Sequence, residues 1–283
     1  MLVRTRVIYA KDLSKFGVLY ALRHLVINLM QSGLFRFFGI TYEDSISRAQ
    51  LRLSKYLHSS FGGKVNYGPF SGLQLQWNSS WGAKSRSTML LGIYEIEVLS
   101  ELIMTSKNYR YFIDIGAADG YYALGAIFGG YFEKSFCYEA SQNGREVIKG
   151  NAEINGLADL VVIRGKASSN FFHDFQADVR DDSVVLVDIE GGEFQLLSNE
   201  ALFAFRKSVI IIEIHDWMVS NGQSKLLELE SRARRYFNIK KLQTGAREPA
   251  AFEELAEVTD SERWLVCSES REMLQTWWVL NPH

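Results

Sequence analysis

From Tyr109 onward the chain repeats one pattern. A short run of consecutive apolar residues is followed by a longer stretch with apolar positions at helical spacing. The runs are YFIDIG, KSFCYEA, DLVVIRG, SVVLVDIEG and SVIIIEIHD, and the stretches between them include SQNGREVIKGNAEING. A strand that is apolar on both faces cannot leave either face in water. Val- and Ile-rich runs of this kind are therefore parallel strands covered by helices on each side. The pattern predicts a doubly wound, Rossmann-like α/β sheet. In the tail, FNIKKLQTG, RWLVCSES and MLQTWWVLNP read as further strands, the last forming an antiparallel edge.

The segment before Tyr109 has a different rhythm. Residues 16–38 and 43–58 carry helical spacing on either side of Gly39, and FGGKVNYGPFSGLQLQWNSSWG alternates with turn signals and reads as a small hairpin. Helical spacing returns from Thr88 to Ile103, with Leu91, Tyr94, Val98, Leu99 and Leu102 on one face. The expected division is a helical extension and hairpin over 1–85 and a ligand-binding domain over 86–283.

Charge narrows the function classes. The formal net charge of the 283 residues is -2, with Lys and Arg scattered, so no basic face offers itself to a nucleic-acid backbone. The two cysteines, Cys137 and Cys267, have no metal-ligand or CxxC spacing and read as core thiols of a cytoplasmic protein. Arg23 and His24 interrupt the N-terminal apolar run, so it falls short of the roughly 20 residues a spanning helix needs. Contact with a membrane surface through these helices is the alternative to helices packed on their own domain.

In an open α/β sheet, ligands bind beyond the carboxyl ends of the strands where the winding reverses. The turn Gly116-Ala-Ala-Asp119-Gly120 follows the first strand at such a place, and Glu139 ends the next strand about 20 residues further on, where an acidic residue accepts the hydroxyls of a ribose. A dinucleotide fingerprint would have a glycine at Ala118. Asp119 reads as a negative charge where a diphosphate would lie. Both favour a ligand bearing a sulfonium or ammonium group, S-adenosylmethionine (SAM) being the natural candidate, over the nicotinamide-dependent oxidoreductase alternative.

The series DIGAADGYYAL, CYEAS, LVDIEGGEFQLL and IIIEIHD resembles the motifs of class I SAM-dependent methyltransferases, and DIEGGE and LLGIYEIEV are most similar to the FkbM-type branch. The resemblance spans roughly Leu90 to Pro282. It implies the Rossmann-like methyltransferase sheet, with Asp114, Gly116 and Ala118 around the methionine part of SAM, Gly120 closing the turn and Glu139 on the ribose. Lys166 stands where many such enzymes place an Asp or Asn against adenine, which leaves Ala167 and Ser168 as the adenine contacts. It also implies O-methylation of a small-molecule or glycan hydroxyl; a fold that keeps SAM but has lost catalysis is the alternative. The N-terminal helices would shape the acceptor pocket or a homodimer contact.

Asp188 and Glu190, and likewise Glu213 and His215, are two residues apart, so each pair faces one way from neighbouring strand ends. Methyl transfer to oxygen needs the acceptor aligned and its proton removed. His215 is the expected base, with Asp188 and Glu213 orienting it or the acceptor and Asp188 also beside the cofactor. No spacing here diagnoses a metal site, so none is predicted, although the same oxygen-rich set admits a divalent ion such as Mg or Mn. Gly191 and Gly192 let the fourth strand end abruptly, and Glu193 caps or orients the next helix. Tyr94 is expected to close over the cofactor, and Glu95 either to close with it or, being off the apolar face of its helix, to be a solvated charge. The tryptophans at 77, 81, 277 and 278 are candidate stacking platforms or core residues.

Overall fold

The computed structural model describes residues 45–271 and 274–283. The helix expected over 16–38, the start of the one over 43–58 and the surface contact assigned to them lie outside that range. The compact unit Ala49–His283 holds the sheet. In chain order come helices α1 (Ser45–Ser60), α2 (Arg86–Leu90) and α3 (Ile96–Ser106), strand β1 (Tyr111–Ile115), α4 (Tyr121–Phe128), β2 (Lys134–Tyr138), α5 (Gln142–Ile154) and β3 (Val161–Arg164). Next are α6 (Ala177–Asp181), β4 (Ser183–Val187), α7 (Glu193–Leu196), α8 (Asn199–Ala204), β5 (Val209–Glu213), α9 (Gly222–Ala233), β6 (Phe237–Gln243), α10 (Asp260–Val266) and β7 (Thr276–Pro282). No helix among the described residues is long and apolar enough to cross a membrane.

The strands form one sheet in the order β3-β2-β1-β4-β5-β7-β6. Strands β1 to β5 pair in parallel, and β7 runs antiparallel to both β5 and β6. The doubly wound, mostly parallel sheet with an antiparallel last strand is as the sequence predicts, but β7 lies one place in and β6, parallel to β5, takes the edge. Trp277 and Trp278 point to opposite faces and are at most 1% exposed, so β7 has to lie inside the sheet. In β6 only Phe237 is fully buried, which suits the edge.

Period-two alternation divides the apolar side chains between two cores. Phe112, Val184, Leu186, Ile211, Trp277 and Val279 face α3, α4 and α5. Ile113, Val185, Val187, Ile212, Trp278 and Leu280 face Phe171, Phe205 and Leu229 on the other side. A third cluster joins Leu53 and Leu57 of α1 to Leu90, Ile93, Leu255 and Val266.

Three local expectations are corrected. The helix expected over 88–103 is two helices, because at Gly92 (φ 65°) a Cβ would lie 2.0 Å from the Tyr67 carbonyl oxygen and Glu95 is left-handed (φ 46°). The hairpin is reduced to a single antiparallel bridge, Lys64 to Gln74. Beyond it, the Asn151 and Asn155 amides take the main chain of Gln74 and Gln76 in place of a partner strand. RWLVCSES is not a strand: Thr259 and Glu262 form a reciprocal capping box that starts α10 there.

Candidate active site

Order β2-β1-β4 means that the chain winds one way from β1 and the other way from β4, which opens a crevice beyond the strand ends. A cavity of about 630 Å3 occupies it. Gly116, Ala118, Glu139, Ala167, Asp188, Glu213 and His215 line this cavity, together with Tyr94, Lys166 and Arg271. Asp114, Gly120 and Ser168 do not. Asp114 lies beneath, 1% exposed, and neither of its oxygens has a hydrogen-bond partner. Burial, reinforced by the charge on Asp188, pushes its pKa up to about 8. Gly120 is the left-handed residue (φ 80°) that starts α4, and the Ser168 hydroxyl accepts from the Asn170 amide in an exposed turn.

The glycine turn is tight for a reason internal to the sheet. At Gly116 (φ 97°) a Cβ would sit 1.8 Å from the Asp188 carbonyl oxygen, so the close approach is to β4. Four of the turn's five amides are already engaged. Gly116 and Ala117 donate to the Tyr138 carbonyl (2.9 and 3.1 Å), Ala118 to Glu139 Oε2 (2.9 Å) and Gly120 to the Ala117 carbonyl (2.7 Å). Glu139 Oε1 also accepts from Ser141 (2.7 Å), which aims the carboxylate along the cavity wall with lone pairs to spare.

Asp119 does not face the ligand space. It is 2% exposed, meets the buried Arg86 guanidinium at 2.8 Å and accepts from the Ser80 amide and hydroxyl. Its charge therefore says nothing about phosphates. The engaged amides do, because a pyrophosphate binds through free N–H groups at such a turn.

Glu95 is likewise no solvated charge. Its left-handed backbone turns the carboxylate inward, where it is 1% exposed, accepts from the Tyr122 hydroxyl (2.5 Å) and pairs with Arg271. Arg271 also reaches Glu213 Oε1 (2.9 Å) and Glu269 Oε2 (2.8 Å), and Arg247 ties Glu269 to Glu97 at 2.7 Å each. This network closes one side of the cavity with ion pairs that the sequence did not announce.

Across from Glu139, His215 stands among carboxylates. Its Nε2 lies 3.7 Å from Asp188 Oδ1, from Glu190 Oε2 and from Glu213 Oε2, and its Nδ1 lies 3.5 Å from Glu193 Oε1. Burial opposes charge on this imidazole, but Glu193 and Asp188 outweigh it and the pKa is raised. Burial holds the carboxyls of Asp188 and Glu213 above the ordinary range; the Asp188 charge raises Glu213 further, whereas His215 and a hydrogen bond from Glu213 hold Asp188 back, so Glu213 is the member that keeps a proton. His215 is 2% exposed, whereas the Asp188 side chain is 31% exposed and reaches the cavity.

Glu193 shapes this corner more than its sequence position suggests. Fully buried, it accepts from the Gly191 amide (2.9 Å) and the His215 amide (2.8 Å), binding the loop after β4 to the end of β5. Among the tryptophans, 277 and 278 are core, Trp77 packs edge-on against His58, and Trp81 lines the cavity with Trp217, which sequence reasoning did not single out.

No protein-family profile matches the sequence, and no curated protein matches it. Solved structures similar to it include a precorrin 8W decarboxylase from Methanobacterium thermoautotrophicum, at 13% identity and TM-score 0.44 over 68% of this chain and 92% of that one. A putative tRNA (m1A22) methyltransferase from Streptococcus pneumoniae, in complex with S-adenosyl-L-methionine, is 13% identical with TM-score 0.42 over 65% and 72%. A precorrin-6y C5,15-methyltransferase from Geobacter metallireducens is 12% identical with TM-score 0.40 over 65% and 86%. Likeness this remote says nothing of activity, which has to be argued from the chain's own residues.

Proposed function

We propose that this chain is a SAM-dependent methyltransferase of FkbM type that methylates a hydroxyl of a small molecule or glycan. The observation that carries this reading is the pairing of Glu139 with a glycine turn four of whose five amides are engaged. Such a wall accepts a ribose diol and leaves a diphosphate few of the turn's own amides. The charge of the cavity agrees: Glu139, Asp188, Glu190, Glu213 and Glu269 line it against Lys166 and Arg271, which suits a cationic sulfonium.

The residues fit the cofactor. Glu139 would hold the ribose and Ala167 would flank the adenine, while Asp114, an unpartnered buried carboxyl beneath the turn, would answer the ammonium of the methionine part. When bound, SAM supplies an electrophilic methyl group. This chain's own task is to hold the acceptor. Asp188 reaches the cavity and would take the acceptor's hydrogen bond, with Glu213 orienting it and His215 behind it receiving the proton as the oxygen attacks. Trp81 and Trp217, 49% and 43% exposed, line the same cavity and would stack on a sugar ring.

Titration calorimetry with S-adenosylhomocysteine and with NADH tests the reading. Binding of the first and not the second is expected. Glu139→Ala should weaken it roughly 10- to 100-fold, since hydrogen bonds to a charged group contribute about 1.5–3 kcal/mol. Binding of NADH with no response to the homocysteine compound would refute it.

A further inference from the structure

We infer that Asp188, Glu213 and His215 form a site for a divalent transition-metal ion, with Glu190 placed to join them. The three residues each offer a donor atom, and these atoms lie within 4.8 Å of one another. Donors held by one ion at about 2.1 Å stand roughly 3 to 4 Å apart, so the 3.7 Å from His215 Nε2 to each carboxylate needs little adjustment.

The orientation of the imidazole is the independent observation. His215 is 2% exposed, its Nδ1 has no hydrogen-bond partner, and its Nε2 has only carboxylate oxygens at 3.7 Å. Glu193 stands behind Nδ1 at 3.5 Å and draws the ring proton to that side, as a carboxylate does behind a metal-bound histidine. Nε2 then faces oxygens of Asp188, Glu190 and Glu213, each at 3.7 Å, which one ion among them could hold together.

Arg271 takes Glu213 Oε1 and leaves Oε2 turned toward His215, and Glu193 spends its own oxygens on the Gly191 and His215 amides. One imidazole nitrogen with two or three carboxylate oxygens suits Mn2+, Fe2+ or Zn2+ better than Mg2+ or Ca2+, which prefer oxygen throughout. The exposed side of Asp188 leaves coordination positions open to the cavity. With the ion bound, His215 is a ligand in place of the base; that the open positions take the acceptor's hydroxyl rests on the methyltransferase reading, and binding of the ion does not.

The test is Mn2+ titration of the full-length, EDTA-treated protein, followed by the loss of the free-ion EPR signal. One equivalent should bind at least tenfold more tightly than Mg2+ competes, Asp188→Asn should weaken it at least tenfold, and electron spin-echo modulation should show one coupled 14N from His215. The modulation is read on the unaltered protein, so it decides even if the variant fails to fold. Absence of stoichiometric binding, unchanged affinity in Asp188→Asn, or bound Mn2+ without nitrogen coupling would each overturn the site. Titration with S-adenosylhomocysteine in EDTA separates the two ideas: failure there sinks the cofactor reading alone.

Discussion

Replacing Arg86 by Met asks whether Asp119 serves the fold or the ligand. The two side chains meet at 2.8 Å, each 1% exposed, and Asp119 keeps only the Ser80 amide and hydroxyl when the guanidinium goes. Stripping one partner from a buried pair leaves an uncompensated charge and costs about 3–5 kcal/mol. For a domain of this size each kcal/mol lowers Tm by about 2–4 °C, so Arg86→Met should melt roughly 6–20 °C below the wild type in a calorimetric scan. Adding Asp119→Asn removes the stranded charge while keeping an acceptor for the Ser80 amide, and the double variant should regain most of the loss. Neither side chain lines the cavity, so S-adenosylhomocysteine should bind the double variant within about threefold of wild type. A drop below 1 kcal/mol in Arg86→Met, or loss of that affinity in the double variant, would refute the structural role of the pair.

Asp114 gives a pH dependence. Its folded pKa of about 8 lies above its ordinary 3.8, so the folded state holds a proton that the unfolded chain releases. The cost is absent below the lower value, grows between the two and is complete above about 8; in urea unfolding Asp114 should account for up to about 4 kcal/mol of the stability lost from pH 5 to 8, a share that Asp114→Asn removes. Gly116→Ala, with its Cβ against the Asp188 carbonyl, should cost more than about 3 kcal/mol by denaturant unfolding. Gly156→Ala, at φ 68° in open space, should cost about 1 kcal/mol. Glu193→Gln sets an amide N–H2 against one of two backbone donors and should lose roughly 2 kcal/mol, read as a shift in the urea midpoint.

The sheet was legible because its signal is local. Five apolar runs mark where β1 to β5 begin within two residues, and the spacing of Asp188, Glu190, Glu213 and His215 foretold that neighbouring strand ends would bring them together. Where a local signal met a distant partner, the partner prevailed. The periodicity of 88–103 yields to Tyr67 at Gly92, and the apolar RWLVC yields to the capping box at Thr259.

Sequence by itself determined the α/β class, the strand-end turn at Gly116 and the acidic group beyond β2, since each depends on residue type at short spacing. Only the tertiary structure decided what the charges do. Asp119 turned from the ligand space to Arg86, 33 residues away, and Glu95 went inward to Arg271, 176 residues away. A buried carboxylate is tolerable only beside a compensating partner, and which cation arrives there is set by how the chain packs.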